Sequence, residues 1–491
     1  MFFNIFLTPF ILIVSIIILF FIPNYKTNFI KYFTFFSSVT IFVYSLLLLI
    51  NFNQCCIKFQ FSNYLLLLPK INFNISFGID GISLFFVILT VIIFPLCILF
   101  SWFSIKKLIK EYFISFLLLE LILIITFSVT DILLFYIAFE SVLIPMFIII
   151  GIWGSRERKV RAAYMFFLYT LFGSVLLLLS IIYIFNRFGT TDYELLVLVD
   201  FSLFEQKILW LSFFLSFASK IPMVPFHIWL PEAHVEAPTA GSVVLAGLLL
   251  KLGSYGFIRF SIPLFPDACV FFTPFILTLS IISVIFTSLT AIRQTDFKRI
   301  IAYTSIAHMN LVVVGIFSFS VVGIEGSLFQ SLSHGFISSS LFLLIGVIYD
   351  RYKTRSFKYY SGLVTTMPLF VFLFLFFTMA NIATPGLSSF VGEFLILSGV
   401  IKLSSTTTFF GSLGIIFSGV YSLWLFNRVS YGNLKIQYLT KFNDINKREF
   451  FVLLPLFLCT LFFGLYPLFI LNYFHGSVYN IVSILNPLLI Y

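Results

Sequence analysis

Seven ionisable side chains fall inside stretches that are otherwise almost unbroken Leu, Phe and Ile: Glu120, Glu140, Lys220, Lys251, His308, His334 and Glu393. A charge near the middle of a bilayer costs about 2.5–3.5 kcal/mol on insertion scales, so a chain keeps several only if they pair or line water. The chemistry open to such a set is proton transfer. Burial favours a neutral amine and a nearby carboxylate favours the ammonium, so a lysine moved between those settings is a proton switch. A plainer reading stands beside each residue. Lys220 and Lys251 read alternatively as partners in a static salt bridge with an acid such as Glu140, and His308 as a hydrogen bond to a neighbouring helix. Glu120 has no proline or motif around it and reads first as structural. Asp80 and Asp131 lie near the starts of apolar stretches and read as interfacial.

Those positions take their meaning from the segments that carry them. The chain of 491 residues is 61% hydrophobic and 10% charged, with a mean hydropathy of +1.12. A soluble domain carries about a quarter charged residues, so this composition specifies an integral membrane protein of the all-α, polytopic class. At roughly 20 apolar residues per crossing, fourteen spans are expected: 3–22, 30–50, 79–103, 111–129, 132–152, 161–185, 208–232, 236–258, 271–292, 300–318, 323–348, 368–400, 408–428 and 450–472. The first lacks a basic leader and a small-residue cleavage site and reads as a retained span. Charge tests the count. Assigning loops alternately to two sides puts 21 of the 29 Lys and Arg residues on one side and six on the other. The basic side is the cytoplasm or matrix, with both termini opposite. The two residues left over are Lys220 and Lys251. The net charge of +10 is mostly topology, and a nucleic-acid partner has no support.

Two spans are irregular. Span 7 holds Pro222 and Pro225 just after Lys220, in SKIPMVPFHIWLP, and span 12 holds ATPGLSSF (383–390) just before Glu393. Interior prolines open a helix, and open backbone is tolerated at membrane depth only where it lines a cavity or is enclosed by protein. The two lie five spans apart, an odd number, so spans 4–8 and 9–13 are expected to form two inverted five-helix repeats, broken at spans 7 and 12. That arrangement is the sequence pointer to a transporter's central site. The expected organisation is an N-terminal three-helix segment (1–110), a first repeat (111–258), a second repeat (271–428), and a C-terminal loop and last helix (429–491). The loop PEAHVEAPTAG between spans 7 and 8 lies on the basic side without Lys or Arg. It offers Glu232, His234 and Glu236 as a proton-uptake funnel, against ordinary capping and turn chemistry.

Other chemistries are not signalled. The five cysteines (Cys55, Cys56, Cys97, Cys269, Cys459) form no CxxC or metal-ligand cluster, and no GxGxxG or P-loop marks a nucleotide site. The 71 phenylalanines fit an AT-rich coding sequence and point to an organelle or a reduced bacterium.

The segments FYIAFESVLIPMF (135–147), SKIPMVPFHIWLPEAHVEAPTAGSVVLAGLLLKLGSYG (219–256), IAYTSIAHMN (301–310), QSLSHGF (330–336) and GLSSFVGEF (386–394) resemble the antiporter-like membrane subunits of respiratory complex I, the NADH:ubiquinone oxidoreductase. The resemblance covers about residues 111–430. It implies fourteen helices in two inverted repeats and proton translocation driven by redox chemistry in other subunits. It implies Glu140 as the carboxylate pairing with Lys220, Lys251 as the central relay, His308 and His334 along the axis between the halves, and Glu393 as the terminal acid where related subunits carry a lysine. Glu120 is not carried over. No cofactor or metal is expected in this chain; NADH, FMN, iron–sulfur clusters and ubiquinone belong to partner subunits. The implied partners are other membrane-arm subunits, chiefly antiporter-like chains 2 and 5, and lipids such as cardiolipin. The implied location is the mitochondrial inner membrane, with basic loops in the matrix and both termini in the intermembrane space. The alternatives are a subunit of a multisubunit cation/proton antiporter, a passive scaffold and, last, a quinone site.

Overall fold

A computed structural model describes residues 5–68, 73–435 and 443–489; Lys70 and Lys441, counted in the charge tally, lie outside them. The chain is mostly helical, as its composition requires. Among the described residues twelve helices are long and apolar enough to cross a membrane, and three shorter apolar helices accompany them: Leu7–Phe21, Pro368–Ile382 and Ser388–Val400. Four of the long helices are enclosed by others: Gly81–Ser101, Thr239–Leu264, Phe297–Ile316 and Val321–Tyr352. By contrast Thr27–Asn51, Lys159–Phe188, Ser405–Ser430 and Lys447–Leu465 turn most of their surface outward. The enclosed set holds Lys251, His308 and His334, so the polar residues sit on helices that face protein and not lipid. Serines along Val321–Tyr352 return their hydroxyls to their own helix, as Ser327 does to the Ile324 carbonyl and Ser331 to that of Leu328, which keeps them satisfied in an apolar setting.

The two breaks fall where expected, in spans 7 and 12. Span 7 divides into Leu203–Lys220 and Trp229–Glu236, and span 12 into Pro368–Ile382 and Ser388–Val400. Proline alone does not break a helix here: Pro95, Pro274 and Pro455 all lie inside continuous ones. In span 7 the open backbone finds partners. Met223 N–H takes the Ala218 carbonyl that Pro222 cannot reach, Trp229 Nε1 donates to the Ser219 carbonyl at 2.9 Å, and Asn310 Nδ2 donates to that of Pro222 at 3.4 Å.

Several details differ from the sequence reading. The supposed loop 231–241 is largely helix, because Trp229–Glu236 forms the second half of span 7 and only Ala237 and Pro238 separate it from the next helix. That next helix is not uniform. It carries two π segments, Leu245–Leu249 and Phe257–Ser261, and runs on to Leu264. Arg259, assigned to a loop, is therefore a buried helical residue paired with Asp80 at 2.5 Å. Asp80 and Asp131 are N-caps: Asp80 accepts from Ser83 N–H, and Asp131 from Leu133 and Leu134. Between spans 2 and 3, where little was read, β1 (Gln60–Leu68) and β2 (Phe73–Ile79) form an antiparallel hairpin, with Asn63 opposite Phe77 and Tyr64 opposite Ser76.

Span 14 ends at Leu465, and the expected tail is a further helix, Leu468–Leu489. Its buried residues Ile470, Phe474, Val478, Ile481 and Leu485 recur at helical spacing, while Leu468 and Tyr479 are exposed. Such a one-sided stripe belongs to a helix lying on a surface. Its contacts agree. Tyr473 packs on Phe52 and Phe85, and His475 Nδ1 lies 2.8 Å from Glu325. These neighbours stand where span 2 finishes and spans 3 and 11 begin, so the helix lies across one end of the bundle. A Cβ on Gly81 would stand 2.0 Å from the Tyr473 carbonyl oxygen, and only glycine allows that approach.

Candidate functional site

Lys220 is the last residue of its half-helix and is 3% exposed. Its Nζ donates to the Phe139 carbonyl at 3.3 Å and lies 4.4 Å from the centre of that residue's ring. Glu140 is the next residue along. No ion pair within 4 Å joins it to Lys220 among the described residues, and its Oε1 is buried without a hydrogen bond. The two are electrostatic neighbours standing apart. Glu140 lies at the end of Ile132–Ser141, where the helix is interrupted at Val142 before resuming at Leu143.

Lys251 lies two residues beyond the end of the first π segment, Leu245–Leu249. Its Nζ donates to the Ala246 carbonyl at 2.6 Å and lies 2.9 Å from His334 Nδ1. Either the ammonium donates to the ring nitrogen or the imidazole N–H donates to the amine, so one bond holds its proton at either end. The helices cross closely here because of glycine. A Cβ on Gly335, next to His334, would meet Leu89 at 2.8 Å and the Gly247 carbonyl at 3.3 Å. The His334 ring centre is 5.9 Å from that of His308. His308 Nδ1 stands 2.9 Å from Glu393 Oε1, and Gln330 Nε2 donates to the same oxygen at 3.0 Å. His308, Glu393 and Tyr421 line one small cavity, and His308 Nε2, Glu393 Oε2 and Tyr421 Oη are buried there without protein partners. Lys251, His334, His308 and Glu393 thus form a row running from span 8 to span 12. Buried polar atoms of this kind are the ones that water bridges.

Nearer the basic end, Glu232 pairs with Arg299 at 2.6 Å, and Glu236 lies 3.9 Å from Arg355. Glu232 is half-buried, Glu236 is buried, and His234 is fully enclosed. The His234 ring stacks on Phe342 at 4.7 Å, and neither ring nitrogen has a partner. Only Glu232 of the three therefore faces outward.

Sequence reasoning passed over several polar residues. His227 sits in the gap of span 7, buried against Phe286 and Tyr303; its signal was an imidazole two residues after Pro225. Lys298 was counted as a surface charge and is buried. Glu120 is fully buried with both carboxylate oxygens unpartnered, and joins no other named site residue.

Fold and row together define a class: a polytopic helical membrane protein in which two broken helices flank a buried acid–base row. The profile of the family described as NADH:quinone oxidoreductase/Mrp antiporter, TM, matches residues 129–419. The protein named NADH-ubiquinone oxidoreductase chain 4 from Chondrus crispus is 55% identical over 480 residues, covering 98% of this chain and 97% of that one. Its namesake from Marchantia polymorpha is 55% identical over 462 residues, covering 94% and 93%. A chain in the solved structure described as respiratory complex I from Thermus thermophilus with bound NADH matches with a TM-score of 0.90 at 27% identity, over 98% of this chain and 99% of that one. The chain belongs to the NADH:quinone oxidoreductase/Mrp antiporter family.

Proposed function

We propose that this chain is a proton-translocating subunit of the membrane arm of respiratory complex I. The observation that carries the reading is the row from Lys251 through His334 and His308 to Glu393, enclosed between two broken helices. As a subunit of an NADH:ubiquinone oxidoreductase, the chain does no redox chemistry; NADH, FMN, iron–sulfur clusters and ubiquinone are handled by partner subunits. Redox turnover reaches it as an electrostatic change that alters the separation of Glu140 and Lys220. A carboxylate moving closer stabilises the ammonium and a carboxylate moving away releases the proton. Lys220 then exchanges a proton with Lys251, the histidines pass it along, and Glu393 delivers it to the far side. Glu232, His234 and Glu236 serve uptake from the basic face.

Counting each broken pair as one crossing, and Leu468–Leu489 as lying on the surface, the chain crosses fourteen times. Spans 4–8 and 9–13 are the inverted repeats. The names of its relatives support the mitochondrial inner membrane, with the basic loops in the matrix and both termini on the other side. Antiporter-like chains 2 and 5, and cardiolipin at the basic face, are the proposed neighbours. The family description also covers cation/proton antiporters, but the extent of identity to chain 4 proteins favours complex I.

The test is Lys220→Ala in the intact complex, with assembly, NADH oxidation and vesicle acidification measured together. Turnover and pumping are expected to fall while assembly survives. Wild-type values for both would remove Lys220 from the path.

A further inference from the structure

Lys298 is the second residue of Phe297–Ile316 and lies at the basic end, where a lysine is expected to reach water. Instead it is 1% exposed. Its Nζ donates to the Ala237 carbonyl at 2.7 Å and to Ser242 Oγ at 3.2 Å. Among the described residues no carboxylate lies within ion-pairing distance of it. The charged groups that act on it electrostatically are the buried Arg355 and Glu236 and the half-buried Asp350. Ser242 Oγ in turn bonds the His234 carbonyl at 3.1 Å, so one hydroxyl separates Lys298 from the residue that carries the unpartnered imidazole. Both Lys298 and Lys251 act electrostatically on His234. Two buried amines thus act on the imidazole: Lys251, which leads into the central row, and Lys298, which the Glu236–Arg355 pair also influences.

We propose that Lys298 is the proton-relay residue joining the basic face to Lys251, through the His234 imidazole. The inference rests on the proton-path reading above and adds to it the group that loads the row. The step is a proton transfer. An N–H bond breaks at Lys298 Nζ, and a bridging water takes that proton and gives one of its own to a ring nitrogen of His234. The imidazolium passes its other N–H proton on towards Lys251. A proton from water at the basic face, by way of the Glu236 carboxyl group, restores the ammonium. The geometry suits this role because burial removes the hydration that otherwise holds a lysine charged. A lysine serving only to close the end of Trp229–Glu236 through the Ala237 carbonyl needs charge and a donor, but never has to release its proton.

That difference supplies the experiment. Lys298→Arg in the intact complex keeps the charge and the donors, while a guanidinium does not deprotonate in proteins. The variant is expected to assemble on native gels, with NADH oxidation and vesicle acidification per assembled complex both lowered about tenfold or more. Wild-type rates in Lys298→Arg overturn the proposal. Should the larger side chain block assembly, Lys298→Gln decides: its amide still donates to Ala237, and the same loss per assembled complex is expected. Wild-type turnover in that variant likewise overturns it. Lys251→Gln measured alongside separates the two claims. If Lys251→Gln also pumps normally, the proton-path reading falls with this one; if only the Lys298 variants are silent, Lys298 alone leaves the path.

Discussion

The two broken helices hold their ionisable residues in opposite ways. In span 7 eight residues, 221–228, separate the half-helices, and Lys220 ends the first half with a single hydrogen bond at 3.3 Å. In span 12 the gap is five residues, 383–387, and Glu393 sits within the second half, fixed by His308 at 2.9 Å and Gln330 at 3.0 Å. One charge is loosely placed beside a carboxylate that it does not touch; the other is tied on two sides. A group that must respond to a distant event benefits from weak local ties, because a small change in its surroundings is then enough to move it. A terminal relay benefits from fixed geometry, because proton transfer requires hydrogen-bond reach. On the proton-path reading proposed above, the asymmetry suits sensing at span 7 and delivery at span 12.

Four substitutions sharpen or break that assignment. The largest effect is expected from Lys251→Gln, which interrupts the row at its centre. Turnover and pumping should fall about a hundredfold with the complex assembled, and retained pumping would show that the two halves do not communicate through this residue. Lys220→Ala should lower turnover about tenfold, equivalent to about 1.4 kcal/mol in the barrier, and leave the amount of complex unchanged. Glu393→Ala, by contrast, should cost assembly as well as turnover, since it strips both His308 and Gln330 of their partner. If these two alanine variants behave alike on native gels, the distinction between a loose and a tied break is wrong. The smallest effect belongs to Gln330→Leu. Losing one of two donors to Glu393 removes about 0.5–1.5 kcal/mol, about a two- to tenfold change in rate; an effect as large as that of Lys251→Gln would make Gln330 part of the path.

Much of this was legible because the bilayer penalises what function needs. Lys220, Lys251 and Glu393 stand out against Leu and Phe, and the paired prolines of span 7 flag an opening that isolated Pro95, Pro274 and Pro455 do not. What stayed hidden was distance and burial. Spacing along the chain says nothing of the gap between Glu140 and Lys220, which depends on how two helices from different parts of the chain pack. Lys298 and Arg259 looked like surface charges because they lie near helix ends, yet neighbouring helices cover both. The π segments of span 8 left no mark in the hydrophobic pattern, since a helix enclosed on all sides is apolar all round. Leu468–Leu489 was missed for a different reason: Asn472, His475, Ser477 and Asn480 interrupt its apolar run, although Leu468–Leu485 is apolar enough on average to count among the twelve long helices.

That last helix also bears on how the chain is made. It is the final described element in sequence, yet it rests on Phe52, Phe85 and Glu325, residues laid down far earlier. During synthesis the ends of spans 2, 3 and 11 are therefore in place before their cover exists. The surface around Gly81 is completed only once the segment carrying Tyr473 has been made. A ribosome that stops short of Leu468 leaves the inserted bundle with that end uncovered.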